Sequence, residues 1–359
     1  MKKWILPGIS AILTLLLCGC NGGTPEGGGK SGTPSDTSGG KSANAQKIEG
    51  AGATFPYPIY KQWFAAYTTA NSAQINYQSI GSGAGYTALK DKTVDFAASD
   101  APLSSKEEAD LSGPVVHIPT VGGAVVLVYN LPGVASGLHL TPDIIAGIYM
   151  GRIKTWDDAV IKAANPSANL PAKPVQPVHR TDGSGTTYIF THYLKKVSTD
   201  WASSIGAGKS VTWPSGMGGK GSDGVAASVT RTEGGVGYVE LAYAIEHKLA
   251  YASVKNQAGA FVEPSVESTQ AAIENYAELL SKDIKTPTVD APGEKSYPIC
   301  SLTYVLLYKN GGRNTGGAVK LWDWILQPAQ QDQAKTLYYA PLPPALIKIN
   351  QDALKGIQG

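Results

Sequence analysis

The 359-residue chain has few of the residues that build disulfide frameworks or metal sites. It contains three cysteines; Cys18 and Cys20 lie close together near the start, and Cys300 stands alone in the remainder. The five histidines are scattered, without the close spacings that metal sites on helices use. The sequence therefore predicts no disulfide framework, no structural metal and no cofactor.

Charge is also scarce. Asp, Glu, Lys and Arg make up 16% of the chain, and the formal net charge is +2. Nucleic-acid-binding domains and membrane-binding polybasic patches depend on clustered basic residues, which this composition does not supply. The sequence predicts no nucleic-acid partner.

The first twenty residues resemble an export signal. Two lysines precede an apolar run over 5–17, which is too short for a comfortable transmembrane helix. The small residue Gly19 just before Cys20 resembles a bacterial lipoprotein cleavage box. We expect residues 1–19 to be removed and Cys20 to carry lipid; a simple anchor or an ordinary signal peptide is the alternative.

A low-complexity segment follows. From residue 21 to 46 the chain is rich in Gly, Ser, Thr and Pro and lacks Val, Ile, Leu, Met and aromatic residues. Such a composition buries too little apolar surface to fold, so 20–46 is predicted to be a flexible tether. The body, 47–359, is long enough for two ordinary domains.

Strand-like and helix-like patterns alternate in the body. Apolar residues recur at helical spacing over 56–70 and 186–197, whereas 74–80 and 94–100 alternate as strands do. This alternation favours an α/β fold.

Two apolar, β-rich runs, 122–133 and 299–310, are candidates for chain crossings between two lobes. In that case one lobe consists of 47–126 plus 301–359, and 127–300 form the other. A buried pair of core strands within one lobe is the alternative, and periodicity does not separate the two.

Two glycine-containing turns precede predicted helices. In "GAGATFPYP", Thr54 is a candidate N-cap, and the amides of Thr54 and Phe55 would point outward from the helix start. In "SIGSGAGY", Ser82 sits among glycines in a turn that favours negative charge. Ordinary capped helices without a ligand are the alternative for both.

A third turn, "HRTDGSGTT", is richer in anion-binding groups. Ser184 and Thr186 offer hydroxyls beside unpaired amides, and Arg180 can present two parallel N–H groups to an oxyanion. Asp182 would hold that arginine in orientation. A surface Arg–Asp pair beside a turn is the alternative.

Asp100 bears on which anion is bound. It follows small apolar residues at a predicted strand end. A carboxylate repels a bound oxyanion unless the anion carries a proton, which phosphate retains near neutral pH and sulfate does not. Asp100 therefore predicts selection of phosphate; its alternative role is the N-cap of a helix over 102–111.

Catalytic signatures are not matched. "DGSGTT" has no lysine of the nucleotide-hydrolase loop, and Asp182 stands where a hydrolase elbow needs glycine. The glycine-rich run 216–224 is predicted to be a flexible lip of a cleft. We expect a binding protein rather than an enzyme.

Taken in order, these motifs resemble the phosphate-binding proteins of bacterial high-affinity phosphate ABC transporters, the PstS family. "GAGATFPYPIY", "TVDFAASDAPLS" and "HRTDGSGTTYIFTHYL" carry the likeness, which "YAPLP" extends to near the C-terminus. The resemblance implies a two-lobed periplasmic-binding-protein fold of type II, with the ligand in the interlobe cleft and two hinge crossings. It also implies a monomer that delivers inorganic phosphate to membrane permease subunits and their ATPase.

Position by position, the resemblance implies phosphate contacts from Thr54, the Phe55 amide, Ser82, Asp100, Arg180, Ser184, the Gly185 amide and Thr186, with Asp182 orienting Arg180. Two features depart from the family: the predicted lipid anchor, which would hold the exported protein on the cell membrane facing the periplasm or the exterior, and the Gly-Ala-Gly after Ser82. A phosphate-scavenging or sensing surface protein is the alternative function, and a phosphatase is a more distant one.

Overall fold

The computed structural model describes residues 46–358. The predicted signal peptide 1–19, Cys20 and the predicted tether up to residue 45 lie outside the described residues. Within 46–358, no helix combines the length and the apolar character that a membrane span requires.

Strands and helices alternate along the described chain. The strands are β1 Lys47–Gly52, β2 Gln74–Ser79, β3 Phe96–Ser99, β4 Val115–Tyr129, β5 His139–Leu140, β6 Gln176–Arg180, β7 Met217–Gly219, β8 Gly235–Glu240, β9 Ala250–Tyr251, β10 Ser253–Lys255, β11 Phe261–Val262 and β12 Cys300–Tyr308. The α-helices are α1 Tyr57–Asn71, α2 Ser82–Lys90, α3 Ser105–Ala109, α4 Pro142–Tyr149, α5 Ala159–Ala164, α6 Gly185–Val197, α7 Thr199–Ser204, α8 Gly221–Arg231, α9 Leu241–Glu246, α10 Val266–Glu274, α11 Ala277–Lys282, α12 Thr315–Ile325, α13 Pro328–Ala334 and α14 Pro344–Lys355, with a short 3₁₀ turn at Lys335–Leu337.

The main sheet runs in the order β2-β1-β3-β12-β4-β8-β6-β7, and β9 also pairs with β4. At one end β1 pairs in parallel with β2 and β3, and at the other end β6 pairs in parallel with β8 and β7. The central strands β12 and β4 are antiparallel to their neighbours. A second, small sheet has the order β11-β10-β5.

Strand β4 is shared by both halves of the sheet. It pairs with β12 as far as Ala124 and with β8 from Val125 onward. The two runs that the sequence offered as crossings are therefore neighbouring buried strands. The lobe boundaries at 126/127 and 300/301 remain a prediction.

Two long helices follow the apolar spacing of their sequences. In α1, Ile59, Trp63 and Phe64 are buried, and Ser72, which caps the C-terminal end of the helix, adopts the left-handed conformation with φ of 50°. In α6, Ser184 is the N-cap, and its hydroxyl accepts a hydrogen bond from the Thr187 amide at 3.0 Å. Sequence pattern and packing agree in both helices.

Two local predictions are corrected. Thr54 is not the N-cap of α1, because Pro56 occupies that position and the Thr54 side chain bonds elsewhere. The run 216–224 is not a flexible lip: its first part forms β7, paired with β6, and its second part begins α8. The alternative role of Asp100 is also excluded, since Ser104 caps α3 through a capping box.

Candidate functional site

The predicted ligand residues lie at the carboxyl ends of parallel strands. Thr54 follows β1, Ser82 follows β2, and Asp100 follows β3. On the other side of the central strands, Arg180 is the last residue of β6, and Gly185 begins the helix after it. In open α/β sheets this edge is where ligands bind, because loops and helix N-termini converge there.

Ser82, Asp100 and Gly185 are brought into contact although they come from both ends of the sheet. The Gly185 amide donates to Ser82 Oγ at 3.1 Å, and the Asp100 amide lies 3.4 Å from the same oxygen. A Cβ on Gly185 would lie 2.5 Å from Asp100 Oδ2 and 2.6 Å from Ser82 Oγ. Only glycine fits at this position without moving its neighbours.

Arg180 is held with part of its hydrogen-bonding capacity free. Its Nε donates to Asp182 Oδ1 at 2.8 Å, one terminal nitrogen donates to Asp182 Oδ2, and the other donates to Thr186 Oγ1 at 3.2 Å. A guanidinium has five N–H groups, so within the described residues one N–H on each terminal nitrogen remains. Two N–H groups are the number that a bidentate contact with two oxygens of a tetrahedral anion uses.

The two remaining N–H groups of Arg180 are significant because the side chain is buried. The Arg180 side chain is 1% exposed and that of Asp182 is 12% exposed. Buried donors without partners cost free energy, so native structures keep few of them. The predicted role of Asp182, orienting Arg180, agrees with its two-point contact.

Thr54 joins the same cluster through α8. Its hydroxyl lies 2.8 Å from Ser222 Oγ and accepts from the Ser222 amide at 3.3 Å. The neighbouring Gly221 amide donates to Asp182 Oδ1 at 3.0 Å. The segments after β1, β6 and β7 are therefore linked by hydrogen bonds.

Two further predicted residues are buried beside these contacts. Ser184 is fully buried, its amide donates to the Lys209 carbonyl at 2.9 Å, and its hydroxyl is used in capping α6. Phe55 is also fully buried, and its amide donates to no acceptor within residues 46–358. That amide is a free donor at the start of the first turn.

Asp100 is the buried carboxyl of the cluster, with 1% exposure. Burial raises the pKa of Asp100 to about 7, although the Thr303 hydrogen bond and the positive charge of Arg180 both act to lower it. Thr303 Oγ1 donates to Asp100 Oδ1 at 2.6 Å. Oδ2 is the oxygen nearer Gly185. Because the pKa of Asp100 is about 7, this carboxyl can accept or share a proton near neutral pH.

Sequence reasoning missed Thr303 and Ser222. Thr303 lies in the middle of β12, where nothing in the sequence marks it as polar support for a carboxylate. Ser222 lies in the glycine-rich run that was assigned to a lip, and a serine at a helix start after glycines was an available signal. Within residues 46–358, no group of three or more His, Cys, Asp and Glu side chains is arranged to share a metal ion.

Comparison with known proteins identifies the family. The model of the PBP superfamily domain matches residues 34–329. The phosphate-binding protein PstS of Xylella fastidiosa strain 9a5c is 44% identical over 307 residues, covering 84% of this chain and 83% of that protein. The chain belongs to the PstS family.

Another PstS relative, from Pasteurella multocida, is 43% identical over 85% of this chain and 88% of its own length. The structure of a high-affinity periplasmic phosphate-binding protein, PfluDING, bound with phosphate, covers 88% of this chain and 99% of its own. Its TM-score is 0.66 at 22% identity, which establishes the shared fold. The predicted α/β periplasmic-binding-protein fold of type II is confirmed, and these PstS relatives are binding proteins rather than enzymes.

Proposed function

We propose that this chain binds inorganic phosphate reversibly and delivers it to an ABC-type importer. The observation that carries the proposal is the pairing of two free Arg180 N–H groups with a buried carboxyl, Asp100, in one cluster. The ligand contacts we propose are Thr54, the Phe55 amide, Ser82, Asp100, Arg180, Ser184, the Gly185 amide and Thr186.

The two charged groups have complementary roles in this proposal. Arg180 attracts any tetrahedral oxyanion, whereas the ionised form of Asp100 favours an anion that brings a proton to share. Sulfate has no such proton, and mispaired buried polar groups can reject a ligand by factors of about 10⁴–10⁵. The cluster therefore favours phosphate over sulfate.

The contacts support at least micromolar affinity. Charge-assisted hydrogen bonds contribute about 1.5–3 kcal/mol each, and the costs of desolvation and ordering offset much of their sum. A net value near −8 kcal/mol corresponds to a Kd of about 1 μM.

The direct test is calorimetry with phosphate and sulfate on three proteins. The wild type should bind phosphate at micromolar Kd or tighter and sulfate far more weakly. Arg180→Gln should weaken phosphate binding at least about 100-fold, because two charge-assisted bonds are lost. Arg152→Gln is the matched control, since Arg152 pairs with Asp200 at the surface, where both side chains are more than half exposed.

Equal affinity of the wild type for both anions would contradict the selectivity. Equal losses in Arg180→Gln and Arg152→Gln would contradict the site. Turnover of a phosphomonoester by homogeneous protein would replace binding with catalysis.

Delivery and anchoring have their own tests. We propose export, with cleavage after residue 19, a lipid on Cys20 and a flexible tether over 20–46, so that a monomeric body faces the periplasm or the cell exterior. Family membership supports export, and the sequence of residues 1–46 supports the lipid anchor and the tether. Mass spectrometry of the mature chain should show a diacylglyceryl adduct that Cys20→Ala lacks, and deletion should reduce phosphate uptake. Intact uptake would favour scavenging or sensing instead.

Closure is proposed to occur between lobes 47–126 plus 301–359 and 127–300. The strands that would form the hinge are β4 and β12, and the bond between Thr54 and Ser222 is one that closure would make. Small-angle scattering should show a smaller radius of gyration on adding phosphate, and an unchanged profile would contradict the hinge.

A further inference from the structure

Three consecutive carbonyls in the turn after β1 each accept a hydrogen bond from a tyrosine. Tyr77 Oη donates to the Ala53 oxygen at 2.7 Å, and Tyr243 Oη donates to the Thr54 oxygen at 2.5 Å. The third donor, Tyr339, reaches the carbonyl of the next residue, Phe55, at 2.6 Å. The three tyrosines come from β2, from α9 and from the segment before α14.

These phenols remain donors at neutral pH. Tyr243 and Tyr339 are buried, with 1% and 0% exposure, and Tyr77 is half-buried. Burial raises the pKa of all three well above the usual value for tyrosine, so the protonated form is kept. Each carbonyl is therefore held from one side by an O–H group.

Peptide geometry converts a held carbonyl into a directed amide. A trans peptide is planar, and the N–H of residue i+1 points opposite to the C=O of residue i. Holding the Thr54 carbonyl thus directs the Phe55 N–H, which has no acceptor within residues 46–358. The Thr54 oxygen also accepts from the Tyr57 amide, but over a longer 3.2 Å, so the phenol is the closer constraint.

Tyr339 supplies an internal contrast. It holds the Phe55 carbonyl, but the next residue is Pro56, which has no N–H. Its bond fixes the same turn without directing any amide. Tyr243 and Tyr339 therefore share burial and bond type but differ in whether the peptide they hold carries an N–H.

We propose that Tyr243 is a positioning residue for the ligand: it holds the Thr54 carbonyl so that the Phe55 N–H points into the cleft. Tyr243 itself does not touch the anion. This role rests on the proposed phosphate site and adds to it a residue from the opposite half of the sheet, since α9 follows β8. Closure of the cleft and the orientation of the Phe55 amide then both depend on the hydrogen bond from Tyr243 Oη to the Thr54 carbonyl.

The test compares Tyr243→Phe with Tyr339→Phe in phosphate calorimetry. Each variant loses one buried phenol bond, so both should lower the melting temperature to a similar extent. Tyr243→Phe should weaken phosphate binding about tenfold, the effect of one hydrogen bond, and Tyr339→Phe less than about threefold. Equal weakening, or a larger loss in Tyr339→Phe, would overturn the proposal.

An NMR measurement observes the Phe55 amide directly. The chain has 5 phenylalanines, so labelling with ¹⁵N-phenylalanine gives few amide signals, and Phe55→Tyr identifies the one of interest. In the wild type and in Tyr339→Phe, phosphate should move the Phe55 signal downfield, as expected for a new hydrogen bond to an anion. In Tyr243→Phe that shift should shrink; an undiminished shift would refute the positioning role.

Phosphate binding by the wild type distinguishes failure of the proposed function from failure of the proposed role of Tyr243. If the wild type binds no phosphate, the proposed function is wrong; if it binds and the variants rank otherwise, only the role of Tyr243 is wrong. Should Tyr243→Phe not fold, the wild-type spectrum still tests the proposal, which requires the Phe55 amide signal to move downfield with phosphate; an unmoved Phe55 signal would overturn it.

Discussion

Replacing Asp100 by asparagine isolates the group proposed to recognise the proton of phosphate. The change keeps the shape of the side chain and one carbonyl oxygen. Thr303 Oγ1 donates to Oδ1 at 2.6 Å, so the asparagine oxygen is expected to take that place. The Nδ2 group then replaces Oδ2, the atom nearer Gly185. An acceptor facing the ligand becomes a donor.

The magnitude follows from the bonds exchanged. Phosphate loses one charge-assisted hydrogen bond, which contributes about 1.5–3 kcal/mol, or about 10- to 150-fold in affinity. Sulfate loses a repulsive contact and gains a donor. We expect the ratio of phosphate to sulfate affinity to fall by about 100-fold or more.

The assay is competitive calorimetry with both anions at one pH and ionic strength. Asp95→Asn is the matched control, because Asp95 is also buried and accepts from a backbone amide, that of Glu49 at 2.8 Å, yet precedes β3 instead of following it. Its selectivity should equal that of the wild type. An unchanged ratio in Asp100→Asn, or an equal fall in Asp95→Asn, would refute the reasoning.

Three other outcomes follow from the same contacts. Burial raises the pKa of Asp100 from 3.8 to about 7, so folding favours its protonated form. In phosphate-free protein this contribution to the free energy of unfolding should therefore fall as pH rises from about 4 to about 7, by up to about 4 kcal/mol at 1.36 kcal/mol per pKa unit. Because burial also raises the pKa of Glu240, urea titrations at several pH values should show this fall in the difference between the wild type and Asp100→Asn. Thr303→Val removes a bond that lowers this pKa, so it should extend that fall to higher pH, and a profile ending at the same pH would argue against Thr303 as support. Lys209→Met breaks the half-buried ion pair with Glu107, which joins α3 to the loop before β7. The rate of phosphate release, measured by stopped flow, should be several-fold faster than in the wild type at low salt, and the two rates should converge at high salt.

Local patterns in the sequence predicted much of the site. Ser82 and Ser184 stand after glycine-rich turns and before apolar helical spacing, so their placement at helix starts needed no knowledge of tertiary contacts. The Arg180–Asp182 contact was also predictable, since the two residues are separated by one position at the end of a strand.

Thr54 shows where local reasoning fails. A threonine before a helix is a common N-cap, but here the cap position falls at Pro56. The Thr54 hydroxyl bonds to Ser222, 168 positions away, and a long-range partner replaces the local one. Propensity describes the first turn of a helix and carries no information on that choice.

The supporting residues were beyond prediction for the same reason. Thr303 is 203 positions from Asp100, and Tyr243 is 189 positions from Thr54. Neither residue stands in a pattern that marks it as polar support, because both occupy buried positions of a strand and a helix. Only the sheet order, with β12 between β3 and β4, brings Thr303 to Asp100.

The central claim is that phosphate binds between Arg180 and Asp100. A crystal structure grown with saturating phosphate tests it most directly. The account predicts one tetrahedral anion with two oxygens on the terminal nitrogens of Arg180 and a third within 2.8 Å or so of Asp100, a distance typical of a shared proton. Phosphate bound elsewhere, or an Arg180 side chain turned away from the anion, would contradict it.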